Sequence, residues 1–195
     1  SGGINENFLK QVLDVILTNG LLLNTSNASL LRTMADLNLC AEEFTSAMQY
    51  YMQSYAVVTD FFTKSSIVSP IVDDKMITNM IKCCGKLNFH TIEALLSQLS
   101  DKPNYRAAVK ALQESITLDG GDIWYPMIWD IVLLETFISN SYPNNDYLLQ
   151  ARLDEAFRLI GQQELNCHNS LDVLSSMEHR RKSDFLCAVC AVFFD

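Results

Sequence analysis

Proline and glycine are scarce, four and seven among 195 residues, so few positions force a break in regular backbone. Long strand-like alternation of apolar and polar residues is nearly absent too. No apolar run reaches the roughly 18 residues that a membrane span needs. The richest runs, 127–138 and 185–194, are short or broken by charge and read as buried helices. Positive charge is in deficit: Lys and Arg number 14 against 23 Asp and Glu, a formal charge of -9. That sign is wrong for a generic nucleic-acid binder, whose affinity rests on Lys and Arg at phosphates. It also argues against a surface for anionic membranes. The chain lacks a G-x-S-x-G nucleophile elbow and a Walker loop, and it holds a single C-x-x-C.

What remains is hydrophobic at 49 %, enough to bury a core. The length suits one domain or one block of repeats, taken as a single all-helical domain over 1–195. Ser1-Gly2-Gly3 reads as a cloning scar, which makes the chain an excised part of something longer. Six cysteines appear, at 40, 83, 84, 167, 187 and 190. A chain this large and aliphatic needs no staples, so reduced thiols in the cytoplasm or nucleus are expected. Two glycosylation-type triplets, Asn24-Thr25-Ser26 and Asn27-Ala28-Ser29, are the counter-signal.

Apolar residues recur at spacings of 3 and 4, which predicts helices. A first helix over 5–19 carries Phe8, Leu9, Val12, Leu13, Ile16 and Leu17 in one stripe, with Gly20 as its stop. A second begins at Asn27 as N-cap. A third spans 41–63. A fourth is capped by Asp73 or Asp74 and ended by Gly85. Further helices are predicted at 90–99, 105–118, 123–139, 146–160, 170–179 and from 183 onward. Pro126 falls in the first turn of the 123–139 helix, where proline is tolerated. Short polar turns between them imply antiparallel pairs. The breaks at 65–70, 101–104 and 141–145 recur at a step of about 35 residues, near the period of two-helix repeats. The expected fold is all-α: nine or ten helices in hairpins, stacked as a short α-solenoid or compact helical-repeat bundle.

Met80-Ile81-Lys82-Cys83-Cys84-Gly85-Lys86 resembles the "LI-small-x-C-G-K" ending of the first helix in pentatricopeptide repeats. Glu93-Ala94-Leu95-Leu96 resembles the "EA-x-x-L" of their second helix. The turn between departs by about one residue, and Asn88-Phe89-His90 replaces the usual small and basic residues. The likeness covers about 30 of 195 residues, and tetratricopeptide repeats look similar at this level. It implies a two-helix repeat and, for the pentatricopeptide type, RNA read by side chains at fixed positions. The residues also explain themselves as a hairpin joint. Gly85 would supply a positive φ, the small thiols would sit where helices approach, and Lys86 would complement a helix C-terminus.

Candidate sites follow. Cys187 and Cys190, three apart on an apolar terminal helix, read as structural thiols facing the core; a zinc site could recruit Cys167, His168 or His179. Glu42-Glu43 and Asp73-Asp74 sit at helix starts and read as capping carboxylates rather than a catalytic pair. His90, His168 and His179 lie in no nucleophile pattern. Tyr51, Tyr55, Trp124, Tyr125 and Trp129 are the candidate partner anchors, with core packing as the default. Arg180, Arg181 and Lys182 are the candidate nucleic-acid contacts, with a charged turn as the plain alternative. The reading is a non-catalytic interaction scaffold, with no cofactor, metal or membrane contact. Its partner is a protein, and the acidic balance suits a basic or amphipathic segment. An RNA-binding helical-repeat domain is the alternative.

Overall fold

A computed structural model of the chain describes residues 6–64, 69–141 and 170–194, with isolated positions at 147, 151 and 154. Among the described residues there are eight α-helices, two 3-10 helices and no strand. They are α1 Glu6–Leu23, α2 Ala28–Cys40, α3 Phe44–Val58, α4 Asp74–Lys86, α5 His90–Leu95, α6 Tyr105–Leu112, α7 Ile131–Ser141 and α8 Ser170–Phe194. The 3-10 helices are Leu96–Leu99 and Asp122–Met127. The chain divides into two compact units, 1–87 with 189–195, and 88–188.

The first unit is built on the α2–α3 pair. As the sequence suggests, Asn27 caps α2: its side chain accepts from the Leu30 amide at 3.1 Å. Leu31, Met34 and Ala35 of α2 meet the buried face of α3, which carries Ala47, Met48, Tyr51, Met52 and Tyr55. Ser54 donates to the Ala28 carbonyl at 2.8 Å, which satisfies a hydroxyl with no access to solvent. Helix α4 adds Met76, Ile77, Met80 and both thiols of the Cys83-Cys84 pair to the core. Asp73 caps α4 through the Met76 amide at 2.8 Å. Arg32 of α2 forks onto the same carboxylate at 2.8 and 3.0 Å and also donates to the carbonyls of Pro70 and Ile71.

Two glycines act differently from expectation. Gly20 does not stop α1, which continues to Leu23. A Cβ at Gly20 would lie 3.0 Å from Leu30 Cδ1, so the glycine lets α2 approach closely. Gly85 is inside α4, and the residue with positive φ is Asn88 at 60°. Asparagine tolerates the left-handed region because its short side chain bonds locally. Helix α3 ends at Val58, short of the expected 63. Thr59 turns its hydroxyl back onto the Tyr55 carbonyl at 2.8 Å and accepts from the Phe62 amide at 3.1 Å. Asp60, Phe61 and Phe62 are all left-handed there. The turn buries the Phe62 ring 6.0 Å from that of Tyr55 and leaves Phe61 exposed.

In the second unit α5 packs on α6, and α6 on α7. The expected 123–139 helix is two elements. The segment around Pro126 is 3-10, Ile128 is extended, residues 128–130 are non-helical, and Asp130 restarts the chain as α7 by accepting from the Leu133 amide at 3.0 Å. The 105–118 helix stops at Leu112, and Ile116 and Leu118 are exposed. The last two expected helices are one continuous α8, since no Gly or Pro interrupts 170–194. Of the expected 146–160 helix, nearly all lies outside the described residues.

Candidate partner interface

The aromatic residues singled out from the sequence lie in two environments. Tyr51 is wholly buried; its hydroxyl donates to Asp36 Oδ1 and accepts from Asn79 Nδ2 at 3.0 Å. Burial first, then the hydrogen-bonded and negatively charged Asp36, pushes the phenol far above its ordinary range. Tyr55 is 3 % exposed and pushed up to about 12 by burial. Trp124 is buried with its indole N–H on the Asp119 carbonyl at 2.7 Å. Trp124 and Trp129 both set their rings edge-on to Phe185, each with centroids 6.1 Å away. A five-residue separation would put them on different faces of an α-helix. The 3-10 turn and the non-helical residues after it bring both to one ring. Tyr51, Tyr55 and Trp124 thus have no surface to offer a partner, while Tyr125 and Trp129 are half-buried.

The basic cluster is similarly divided. Arg181 donates to the Ile128 carbonyl, and burial pulls its pKa down against a small opposing effect of Tyr125. Burial also lowers that of Lys182, opposed by the charges of Glu178 and Asp101. Arg180 is exposed, its Nε 4.0 Å from Asp184.

The thiols do not gather. Cys83 and Cys84 are buried, and desolvation pushes Cys83 to about 11 despite Lys82. On α8 the core face is Phe185, Leu186, Val189 and Phe193, so Cys187 is exposed and Cys190 half-buried. The expected inward orientation of that pair is corrected by the helix phase, which those four larger side chains set. Among the described residues no group of three His, Cys, Asp or Glu side chains is placed to hold a metal. Cys167 and His168 lie outside them. His90 engages Glu93, one turn on, at 2.7 Å.

A different surface comes forward on the first unit. Residues of α1, α2 and α3 line a groove of about 230 Å³: Leu21 and Leu22, Leu31 and Met34, Tyr50 and Gln53, with Thr18 and Thr25 at its edge. Apolar walls with an amide and two hydroxyls at the rim are what an amphipathic segment needs. Tyr50, neighbour of the buried Tyr51, is half-buried and faces this groove. Tyr50, Tyr51 and Tyr55 share helix α3, and helix phase leaves the Tyr50 ring at the groove while the other two are buried.

The family model described as "INTS8, TPR repeats" matches residues 1–193. The chain is 36 % identical over 188 residues to Integrator complex subunit 8 of Xenopus laevis, an alignment covering 95 % of this chain and 18 % of that protein. It is 36 % identical over 174 residues to Integrator complex subunit 8 of Homo sapiens, covering 88 % of this chain and 17 % of that one. The chain thus spans less than a fifth of the length of these relatives.

Proposed function

We propose, starting from the fact that this chain belongs to the Integrator subunit 8 TPR-repeat family, that it is a non-catalytic scaffold segment that holds a protein partner within a multi-subunit assembly. The observation that carries the reading is the groove between α1, α2 and α3. Its partner is a short amphipathic helix or peptide. An apolar side chain of that segment lies against Leu22 and Tyr50, over the buried Leu31 and Met34, and its polar edge meets Gln53 and Thr25. The chain's charge of -9 favours a basic flank on the partner, which would speed encounter more than it tightens the complex. A reducing compartment inside the cell fits the cysteines: Cys40, Cys83 and Cys187 are free thiols.

The test is association of the purified chain with the other Integrator subunits, wild type against Tyr50→Ala and Gln53→Arg. A half-buried tyrosine that anchors a partner costs about 2 kcal/mol or more when truncated, about 30-fold in affinity. Loss of that size with unchanged helix content supports the groove. Unchanged binding by both variants rejects it.

A further inference from the structure

Ser69-Pro70 is the single Ser-Pro or Thr-Pro pair in the chain; the other three prolines follow Lys102, Tyr125 and Tyr142. The pair lies between α3 and α4, in residues 69–73 that belong to no helix, with Pro70 exposed and Ser69 half-buried. A serine before proline is pushed toward extended backbone, and the proline after it has no amide hydrogen to commit. Both features suit the cleft of a proline-directed protein kinase, which takes its substrate extended and seats a ring without an N–H after the acceptor hydroxyl. The turn around the serine is closed by one long hydrogen bond, in which Ser69 Oγ accepts from the Ile71 amide at 3.2 Å.

A cation is already fixed on this loop. Arg32 of α2 donates through Nη1 to the carbonyls of Pro70 and Ile71 and through Nη2 to both oxygens of Asp73. Its side chain is 16 % exposed, and that of Asp73 43 %. A phosphate on Ser69 would add a charge of about -1.5 to -2 and three acceptor oxygens, one residue before the first of those carbonyls. The planar fork of arginine matches phosphate as well as carboxylate, and the more highly charged group attracts it more strongly. Asp73 can release the fork readily: its carboxylate is open to water and keeps the Met76 amide at 2.8 Å. The other charges at the start of α4, Asp74 and Lys75, are exposed and of opposite sign. We propose that Ser69 is a phosphorylation site for a proline-directed kinase and that Arg32 receives the phosphate, exchanging Asp73 for it. In the transfer the bond between ADP and the γ-phosphoryl group of ATP breaks, the Ser69 Oγ–P bond forms, and the hydroxyl proton passes to the aspartate of the kinase.

The experiment incubates the purified chain with ATP, magnesium and a proline-directed kinase, one of the cyclin-dependent and one of the mitogen-activated type in turn, and locates phosphate by mass spectrometry. Wild type should be modified at Ser69 by at least one of them, and Ser69→Ala should lose that phosphate. Phosphorus NMR across pH then reads where the phosphate sits. An ordinary phosphoserine loses its second proton at about pH 6. Beside Arg32 that midpoint should fall by about one unit. Arg32→Ala should return it to about 6, and should be phosphorylated at least as fast, because the loop has lost its clamp. Asp73→Asn keeps an oxygen for the Met76 amide and removes the competing carboxylate, so its phosphate should titrate lower than that of wild type. Absence of phosphate on Ser69 with both kinases overturns the inference. So does a midpoint shared by wild type, Arg32→Ala and Asp73→Asn, which would leave the phosphate in water and the guanidinium on Asp73.

Discussion

Asp119 caps α5 from 27 residues away: its two carboxylate oxygens accept from the Thr91 amide at 3.1 Å and the Ile92 amide at 2.6 Å. Thr117 takes the preceding amide, that of His90, at 3.1 Å and also donates to Asp119. Phe89, the residue at the cap position, has no side-chain acceptor. A six-residue helix is too short to form alone, so the loop that returns to its N-terminus holds it in place. Asp119→Ala leaves two buried amides unpaired and should cost about 2–3 kcal/mol. Chemical denaturation should show the loss as a lower midpoint at unchanged slope. Asp119→Asn keeps one accepting oxygen and should cost less. Equal stability of wild type and Asp119→Ala would mean that water satisfies those amides.

The Tyr51 hydroxyl is the hub of a network joining α2, α3 and α4, since Asn79 donates to Asp36 at 3.1 Å and to Tyr51 at 3.0 Å. Tyr51→Phe keeps the ring and its packing but leaves Asp36 and Asn79 each short of a partner. The expected loss is about 1–2 kcal/mol, or about 2–4 °C in Tm for each kcal/mol in a chain of this size. Asn79→Ala combined with Tyr51→Phe should cost less than the sum of the two single changes, because the groups share one network. Strict additivity of the two would contradict that coupling.

The fold class was legible in spacing and the details were not, for physical reasons visible at single residues. Periodicity says which side chains share a face; it does not say what covers that face. The stripe over Phe8, Leu9, Val12, Leu13, Ile16 and Leu17 was readable as one face; Leu17 alone of the six is buried, and the other five are exposed. A glycine near a helix end reads the same whether it supplies a positive φ or clears space, and Gly20 does the second. The Pro126 segment was placed in an α-helix because proline suits a first turn; the chain forms a 3-10 turn there and restarts at Asp130. Tyr51 and Tyr55 share a helix with Tyr50, and only helix phase separates the groove-lining ring from the buried ones. The Asp119 cap has no local signature, because its partners are set by tertiary structure.

Stability should fall on the alkaline side. Burial moves Cys83 from 9.0 to about 11 and Tyr55 from 10.0 to about 12, and it moves Tyr51 upward as well. These groups are held neutral when folded, while the unfolded chain releases their protons at ordinary values. The stability they contribute is complete below about pH 9 and is lost as pH rises through the folded values, across about pH 9–12. Urea midpoints at neutral pH and near pH 10 should differ in that direction. Cys83→Ala, measured across the same range, should flatten the early part of the fall. In the native state an alkylating reagent should reach Cys40 and Cys187 before Cys83. Rapid native labelling of Cys83 would mean that α4 opens far more readily than its burial implies.

The basic cluster on α8 bears on RNA binding through what its side chains already hold. Arg181 is committed to the Ile128 carbonyl, Lys182 lies among Glu178 and Asp101, and Arg180 stands near Asp184. Binding a phosphate here would require breaking the first contact and competing with three carboxylates, on a chain whose net charge is already -9. A labelled single-stranded RNA pool should therefore show no salt-dependent binding at physiological ionic strength. Arg180→Ala should change nothing, because a lone exposed arginine provides about one phosphate contact and sequence reading needs stacked or base-edge contacts as well. Arg181→Ala should lower stability by about 1 kcal/mol through the lost hydrogen bond, again without an RNA phenotype. Micromolar binding that weakens steeply with salt and is lost in Arg180→Ala would reverse the assignment, making the cluster an RNA contact rather than a charged stretch of helix α8.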